Sequence, residues 1–515
     1  MRLASPVPAL LVGVVMATTL HAADVDRPTS VLHGDLAPGP WRVGLTRMTV
    51  RDRSRPEGPA SAIEVHVWYP VAAADQAGTP LSVADYLTAH LRDETDAAAR
   101  ATLVEQRVAM FRRMLSAYGT LDEATFNKLL AERFLAVRDA APAHGRFPLL
   151  IGHLRQFATT ITNEHLASHG YVVAYVSGEE RDETPDAGRA LDVGVRDMES
   201  AIAALRDTSY VDQAALGALG FSGAGFSQIL LAMRHPDVAA VCDLESAIFD
   251  DRVMWPLHRG WGYDVAALRV PFLHTYSVPL SLRENRRADF EAMRYSTRYH
   301  YLVDAPGITH GDFATEGMLA SLVPGLRGAQ ATRTRQAFET TTRYVRAFFD
   351  AHVKKDAAAR AFLEGRPEAN GVPEGLVTMR VLPAIVPAMT ADAFTAIVGT
   401  DGLDAAMQAL RADRARDPLA PLFLERSLNA LGYRFFRSKD LDTAIAVVRE
   451  AVESYAGSPN AYDSLSEVLV AAGRTEDARA VVRMGLDVAA APSVSPGDRE
   501  AFTRMLRERM TRLGG

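Results

Sequence analysis

The 515 residues carry 56 Lys and Arg against 63 Asp and Glu, a formal net charge of −7, with 48% apolar and 23% charged residues. That balance is ordinary for a globular protein and leaves no basic footprint for nucleic acid. The length calls for two or three structural units, and the one cysteine, Cys242, excludes an intramolecular disulfide and a zinc-finger cluster.

The chain opens with Arg2, the apolar run Ala9 to Met16 and the small-residue stretch around Ala22-Ala23-Asp24. A short positive start, a compact apolar stretch and small residues in that order predict a signal peptide over residues 1–23. The apolar run is too short for a stable membrane anchor. The expectation is therefore an exported protein, periplasmic where the source has two membranes. The near absence of cysteine suits an oxidising compartment.

Residues 24–352 read as one α/β unit. Val43 to Val50 and Ala62 to Pro70 alternate apolar and polar residues as half-exposed strands do. Residues 82–140 change to helical periodicity, with Leu103, Val104, Val108, Phe111, Met114 and Leu115 at helical spacing, and predict a helical insertion rather than sheet. From Phe147 strands and helices alternate. Strands are expected at Phe147–Gly152, Tyr171–Val176, Ala215–Phe221, Val238–Leu244, Val270–Tyr276 and Tyr299–Val303, and a closing helix from about Thr332 to Ala351. This order predicts an α/β-hydrolase fold, a mostly parallel eight-stranded sheet with helices on both faces.

Residues 353–415 read as linker and adaptor helices. Residues 416–515 repeat themselves, since Leu431 and Leu465, Ala444 and Ala478, and Lys439 and Gly473 each stand 34 residues apart. A helix-turn-helix period of 34 is that of tetratricopeptide repeats. Two repeats bury little of their own surface and are expected to lean on their neighbours.

The strongest chemical signal is Leu219-Gly220-Phe221-Ser222-Gly223-Ala224-Gly225, at a strand end and opening a helix. A serine hydroxyl becomes a useful nucleophile when a sharp turn exposes it beside a base, and small flanking residues permit the turn. Ala224 stands where G-x-S-x-G has its second glycine. Ser227 lies too far into the helix to be presented. The base is expected at His310, on a loop after the last strand, where it can reach back to the serine. His165 and His235 read as helix-surface residues, His274 and His300 as strand residues, and His153 equally as a turn residue or a functional one.

The acid has several candidates. Asp243 and Glu245 share a face if their strand continues, so alternation does not choose between them. Glu245 lies nearer the C-terminal sheet edge, where sites in open α/β sheets assemble, and is preferred. Asp304 and Asp312 are later alternatives. For the oxyanion hole, the Gly223 N–H is one expected donor and that of Leu154 or Arg155 the other. No His, Asp and Glu cluster has metal-ligand spacing and no dinucleotide fingerprint follows a strand, so neither metal nor other cofactor is expected.

Trp68-Tyr69-Pro70, Gly145-Arg146-Phe147-Pro148-Leu149, His169-Gly170-Tyr171-Val172-Val173, the Ser222 turn and His310-Gly311-Asp312-Phe313 together resemble the α/β hydrolases that include platelet-activating-factor acetylhydrolases and dienelactone hydrolases. The resemblance spans roughly residues 40–350 without the insertion. In the acetylhydrolase branch the acid lies on the strand right after the nucleophile, which the resemblance carries over to Glu245. This chain departs from the branch by Glu in place of Asp there, by Ala224, and by lacking a His-Gly pair in the oxyanion loop. The resemblance implies a Ser-His-acid hydrolase acting on a small-molecule ester; the insertion, outside the resemblance, is expected near the mouth as a lid or pocket wall. The alternatives are a peptidase or amidase using the same residues, and a non-catalytic protein acting through its repeats. The repeats are expected to hold a peptide or protein partner.

Overall fold

Short apolar runs whose side chains alternate between two layers build the central sheet. In β5 (Phe147–His153) Leu149 and Ile151 enter one layer and Leu150 the other, and in β6 (Val172–Val176) Val172 and Ala174 oppose Val173 and Tyr175. Strands apolar on both faces belong in the middle of a parallel sheet. The computed structural model describes residues 29–52, 62–72, 78–89, 96–153, 156–177, 187–250, 267–283, 293–494 and 496–514. The expected signal segment 1–23 and the pair Leu154 and Arg155 lie outside them.

Among the described residues eleven strands form one sheet in the order β11-β10-β9-β8-β7-β5-β6-β2-β1-β4-β3. They are β1 (Arg42–Arg51), β2 (Ala62–Val71), β3 (Pro80–Ser82), β4 (Arg133–Arg138), β5, β6, β7 (Val211–Phe221), β8 (Val238–Leu244), β9 (Phe272–Ser277), β10 (Arg298–Val303) and β11 (Val377–Leu382). β2 runs antiparallel to β1 and β6, whereas β6, β5, β7, β8, β9 and β10 are mutually parallel. The central eight, with one antiparallel second strand and the crossed order of β6 and β5, have the α/β-hydrolase topology. One layer is closed by α5 (Ala187–Arg206) and α6 (Ala224–Arg234), the other by α4 (Thr160–Ser168) and α9 (Ala331–His352). Trp68, Tyr171, Tyr301, Phe272 and Phe348 are wholly buried in these layers, each contributing about 1.5–3 kcal/mol by leaving water.

The structure departs from the sequence expectations in three places. The insertion carries α1 (Val83–Leu87), α2 (Ala97–Ser116) and α3 (Glu123–Ala131), but it ends in β4, parallel to β1 and antiparallel to β3. The reason is the apolar run Phe134-Leu135-Ala136-Val137, which is buried only as an added strand. The stretch expected to be linker contributes β11, antiparallel to β10, between α10 (Ala357–Glu364) and α11 (Ala391–Arg416). Finally, His165 is no surface residue; α4 is buried all round and so is its histidine. Burial holds the His165 imidazole well below its usual range, with His169 and Arg346 adding to the effect.

After α11, which breaks at Gly402, helices α12 (Glu425–Arg437), α13 (Leu441–Ser454), α14 (Pro459–Ala471) and α15 (Thr475–Ala489) form two hairpins, and α16 (Pro496–Arg512) packs behind them. The hairpins start 34 residues apart. Lys439 and Gly473 take left-handed conformations at matching turns, φ 67° and 72°. The Tyr433 hydroxyl donates to Glu467 Oε2 at 2.7 Å across the repeat. This helical region sits on the sheet unit: Arg426 donates to the carbonyls of Met233 (2.8 Å) and Ala267 (3.1 Å), Leu424 enters the α5–α6 layer, and Tyr295 and Arg294 both engage Asp417. No helix among the described residues is long and apolar enough to cross a membrane.

Candidate active site

The parallel register brings β7, β8 and β9 to a common upper edge. Gly220 pairs with Asp243, Phe221 with Leu244, and Leu244 with Thr275. Beyond that level the Ser222 N–H donates to the Leu244 carbonyl and the Glu245 N–H to the Thr275 carbonyl, both at 2.9 Å. Ser222 and Glu245 thus leave the sheet side by side, at the edge where open α/β sheets build their sites.

Ser222 then turns the chain into α6 with φ 58°. A serine in the left-handed region costs about 1–3 kcal/mol, which only a rigid surround sustains. The surround is two glycines. A Cβ on Gly220 would lie 2.7 Å from the Gly225 Cα, and one on Gly225 would lie 2.4 Å from Ser246 Oγ and 2.5 Å from its Cβ. The close approach is therefore made by Gly225 rather than by position 224, which is why Ala224 is accepted there. Gly223 is exposed, with nothing within 4 Å of where its Cβ would stand. The site opens at that residue, at the positive end of α6. Ser227 is buried within α6, as its place in the helix implies.

His310 begins a short turn of 3₁₀ helix, His310–Phe313, on the loop after β10. Its Nε2 lies 3.0 Å from Ser222 Oγ, and its ring stacks on Phe221 with centroids 4.9 Å apart and planes 20° from parallel. The turn is held by Asp312, whose Oδ2 accepts from the Thr309 N–H (2.8 Å) and hydroxyl (3.1 Å) and pairs with Arg327. Burial pushes the Asp312 carboxyl up while Thr309 and Arg327 pull against it.

The four carboxylates considered from sequence have different surroundings. Asp243 is wholly buried against α6; it accepts from Ser246 Oγ and lies 3.0 Å from His274 Nδ1. Asp312 caps the histidine turn. Asp304 is exposed beside β11, with Thr378 Oγ1 at 3.5 Å. Glu245 is 4% exposed and stands at φ 52°, so the strand alternation that would align it with Asp243 ends before it. Its Oε2 accepts from the Ser277 N–H and its Oε1 from the Ser277 hydroxyl, each at 2.6 Å. Ser277, the last residue of β9 and the cap of α7 (Val278–Ser281), has no sequence signal that marks it as a partner of Glu245.

The remaining side chains have quieter places. His153 ends β5 buried, with its ring against Gly194 of α5. His300 Nδ1 lies 3.1 Å from the Tyr276 hydroxyl. Cys242 is buried and its thiol is pushed well up, chiefly by desolvation, so it stays protonated and unreactive. The expected oxyanion donors Leu154 and Arg155 fall outside the described residues.

No family model matches the sequence, and no curated protein matches it. Among solved structures, a ferulic acid esterase from Streptomyces cinnamoneus is similar at 20% identity, with 67% of this chain and 98% of that chain covered and a TM-score of 0.46.

Proposed function

We propose that the protein is an exported serine hydrolase that cleaves a carboxylic ester through an acyl-enzyme. The observation that carries this reading is a serine hydroxyl at φ 58° on a strand-to-helix turn, 3.0 Å from an imidazole nitrogen. Strain of this kind is kept where a side chain must be presented. As Ser222 Oγ attacks the carbonyl carbon, His310 Nε2 takes its proton. When the tetrahedral adduct collapses and the C–O bond breaks, the same proton passes to the leaving alcohol. Water then repeats the sequence on the acyl group. Glu245 is the proposed acid, orienting the imidazole and stabilising its protonated form. Its burial and its two short hydrogen bonds from Ser277 support this role, and Asp243 is engaged elsewhere. The Gly223 N–H, with a second from Leu154 or Arg155, is the proposed oxyanion donor.

Residues 425–489 are proposed to be tetratricopeptide-like repeats that hold a peptide or protein partner, supported by the 34-residue spacing of their helices. For the hydrolase, Ser222→Ala is expected to abolish turnover of short p-nitrophenyl esters and labelling by a fluorophosphonate, with circular dichroism and melting unchanged. A variant that keeps full turnover refutes the assignment of Ser222.

A further inference from the structure

The turn that carries His310 does not stand alone; a segment of the insertion is built against it. Tyr118 and Gly119 follow α2, and Gly119 forms an antiparallel bridge with Leu326. The approach is as close as backbones allow, since a Cβ on Gly119 would lie 2.5 Å from the Gly325 carbonyl oxygen. The Arg327 N–H donates to the Tyr118 carbonyl at 3.0 Å, and the Arg327 guanidinium lies over the Tyr118 ring, 4.8 Å from its centroid. That same guanidinium pairs with Asp312, the residue capping the His310 turn. The Tyr118 hydroxyl presses on the turn directly: a Cβ on Gly311 would fall 2.0 Å from it, against 3.2 Å from the ring carbon that bears it. From the other side α8 (Thr315–Leu322) closes on the turn, where a Cβ on Gly317 would lie 2.3 Å from the Gly311 carbonyl oxygen.

We propose that Tyr118, acting with Arg327 and Asp312, is a positioning residue for the base, so that the insertion sets where His310 stands relative to Ser222. The proposal rests on the reading of Ser222 and His310 as nucleophile and base. Its physical content is that the turn is clamped between α8 and Tyr118, with Arg327 joining ring and carboxylate. The ring supplies a face for the guanidinium, and the guanidinium keeps a buried carboxylate paired. Burial, with Asp312 and Glu316 nearby, pushes the Tyr118 hydroxyl up, so it stays neutral against the turn. A base displaced by about 1 Å can lose on the order of a hundredfold in rate while ground-state binding is spared.

The test is a size-complementation set read on the full chain. Gly311→Ala is expected to lower kcat about ten- to a hundredfold with KM nearly unchanged. Adding Tyr118→Phe, which removes the obstructing hydroxyl and keeps the ring under Arg327, is expected to recover much of that loss. Tyr118→Leu, which removes the ring, is expected to lower kcat again. The His310 ring resonances, assigned by their loss in His310→Ala, sense the stacked Phe221 ring and read the position of the base without any turnover. They are expected to move in Gly311→Ala and Tyr118→Leu and to return toward wild type in the Gly311→Ala, Tyr118→Phe pair. Unmoved resonances in both single variants, or a double variant no closer to wild type than Gly311→Ala, would overturn the proposal. Failure of the hydrolase reading looks different: the wild-type chain then neither turns over esters nor takes the phosphonate, and the resonances alone decide the role of Tyr118.

Discussion

Ser222 is kept in its conformation by what cannot be placed around it. Gly225 touches Ser246 and faces Asp243, and Gly220 touches Gly225, so each glycine is there for space. Gly225→Ala is expected to cost about 1–3 kcal/mol, the range for a side chain forced into a filled core, and to depress activity by shifting the turn. Chemical denaturation and ester turnover measure the two effects, and a Gly225→Ala protein of wild-type stability would contradict this packing. The approach of His310 to Ser222 was legible because strand, small residues and loop leave a local trace. Glu245 was favoured by its position and by resemblance, but what separates it from Asp243 is a single left-handed φ. A backbone sign change of that kind has no side-chain signature in glutamate. The clamp on His310 was equally hidden, because Tyr118 and Arg327 lie far apart in the chain.

At the scale of elements, the insertion joins the sheet through the β4 ladder with β1, and one buried side chain reinforces that join. Glu164 of α4 is wholly buried; its carboxylate accepts from the N–H groups of Leu135 (2.8 Å) and Ala136 (2.9 Å) on β4 and from the Tyr86 hydroxyl (2.5 Å), with His33 Nε2 at 3.2 Å. It serves β4 as a neighbouring strand would. Glu164→Gln puts a donor where an acceptor is needed. The expected loss is about 1–3 kcal/mol for the backbone group left unsatisfied, read as a lower urea midpoint at constant slope. The eight central strands were readable because their apolar runs are long and bounded by turn residues. β3 has three residues, β4 follows a strongly helical stretch, and β11 sits in a segment rich in Pro, Gly and Glu. Each takes its identity from the edge it joins, which is a tertiary fact.

For the molecule as a whole, buried histidines tie stability to pH. Burial, with Arg346 close by, lowers His169 to about 4. Burial, with Arg360 and Lys355, lowers His352 to about 4, and His165 is lowered well below its usual range. A histidine with a depressed folded pKa takes its proton first in the unfolded chain. Its stabilising contribution is therefore full above about pH 6.5 and is lost as pH falls toward 4. Raised carboxylates such as Glu199 and Glu339 act in the opposite sense, so the histidine share is best read by difference. His352→Gln, which can still bond the Tyr299 hydroxyl now 2.9 Å from His352 Nε2, is expected to flatten the fall in melting temperature between pH 7 and 5. An unchanged slope would remove His352 from the account. The 34-residue period was the most legible large-scale feature, because a repeated pattern needs no knowledge of what it packs on. That the repeats would lean on their neighbours was expected, but the residues of that seat, Arg426, Asp417 and Leu424, were not legible.

The position of β11 has a consequence for how the two units can part. This strand covers one side of β10, yet it lies in the chain between the sheet unit and the helical hairpins. A protease cutting near residue 355 would not free two finished halves. It would leave β11 held by its ladder and by the seat of the helical region, and if β11 were lost β10 would offer a bare row of N–H and C=O groups to any passing strand. Genetic shuffling that moved the sheet unit without this strand would meet the same hazard. The sheet is thus complete only with a strand that follows α10 in the chain, so a separated sheet unit is expected to expose a pairing edge.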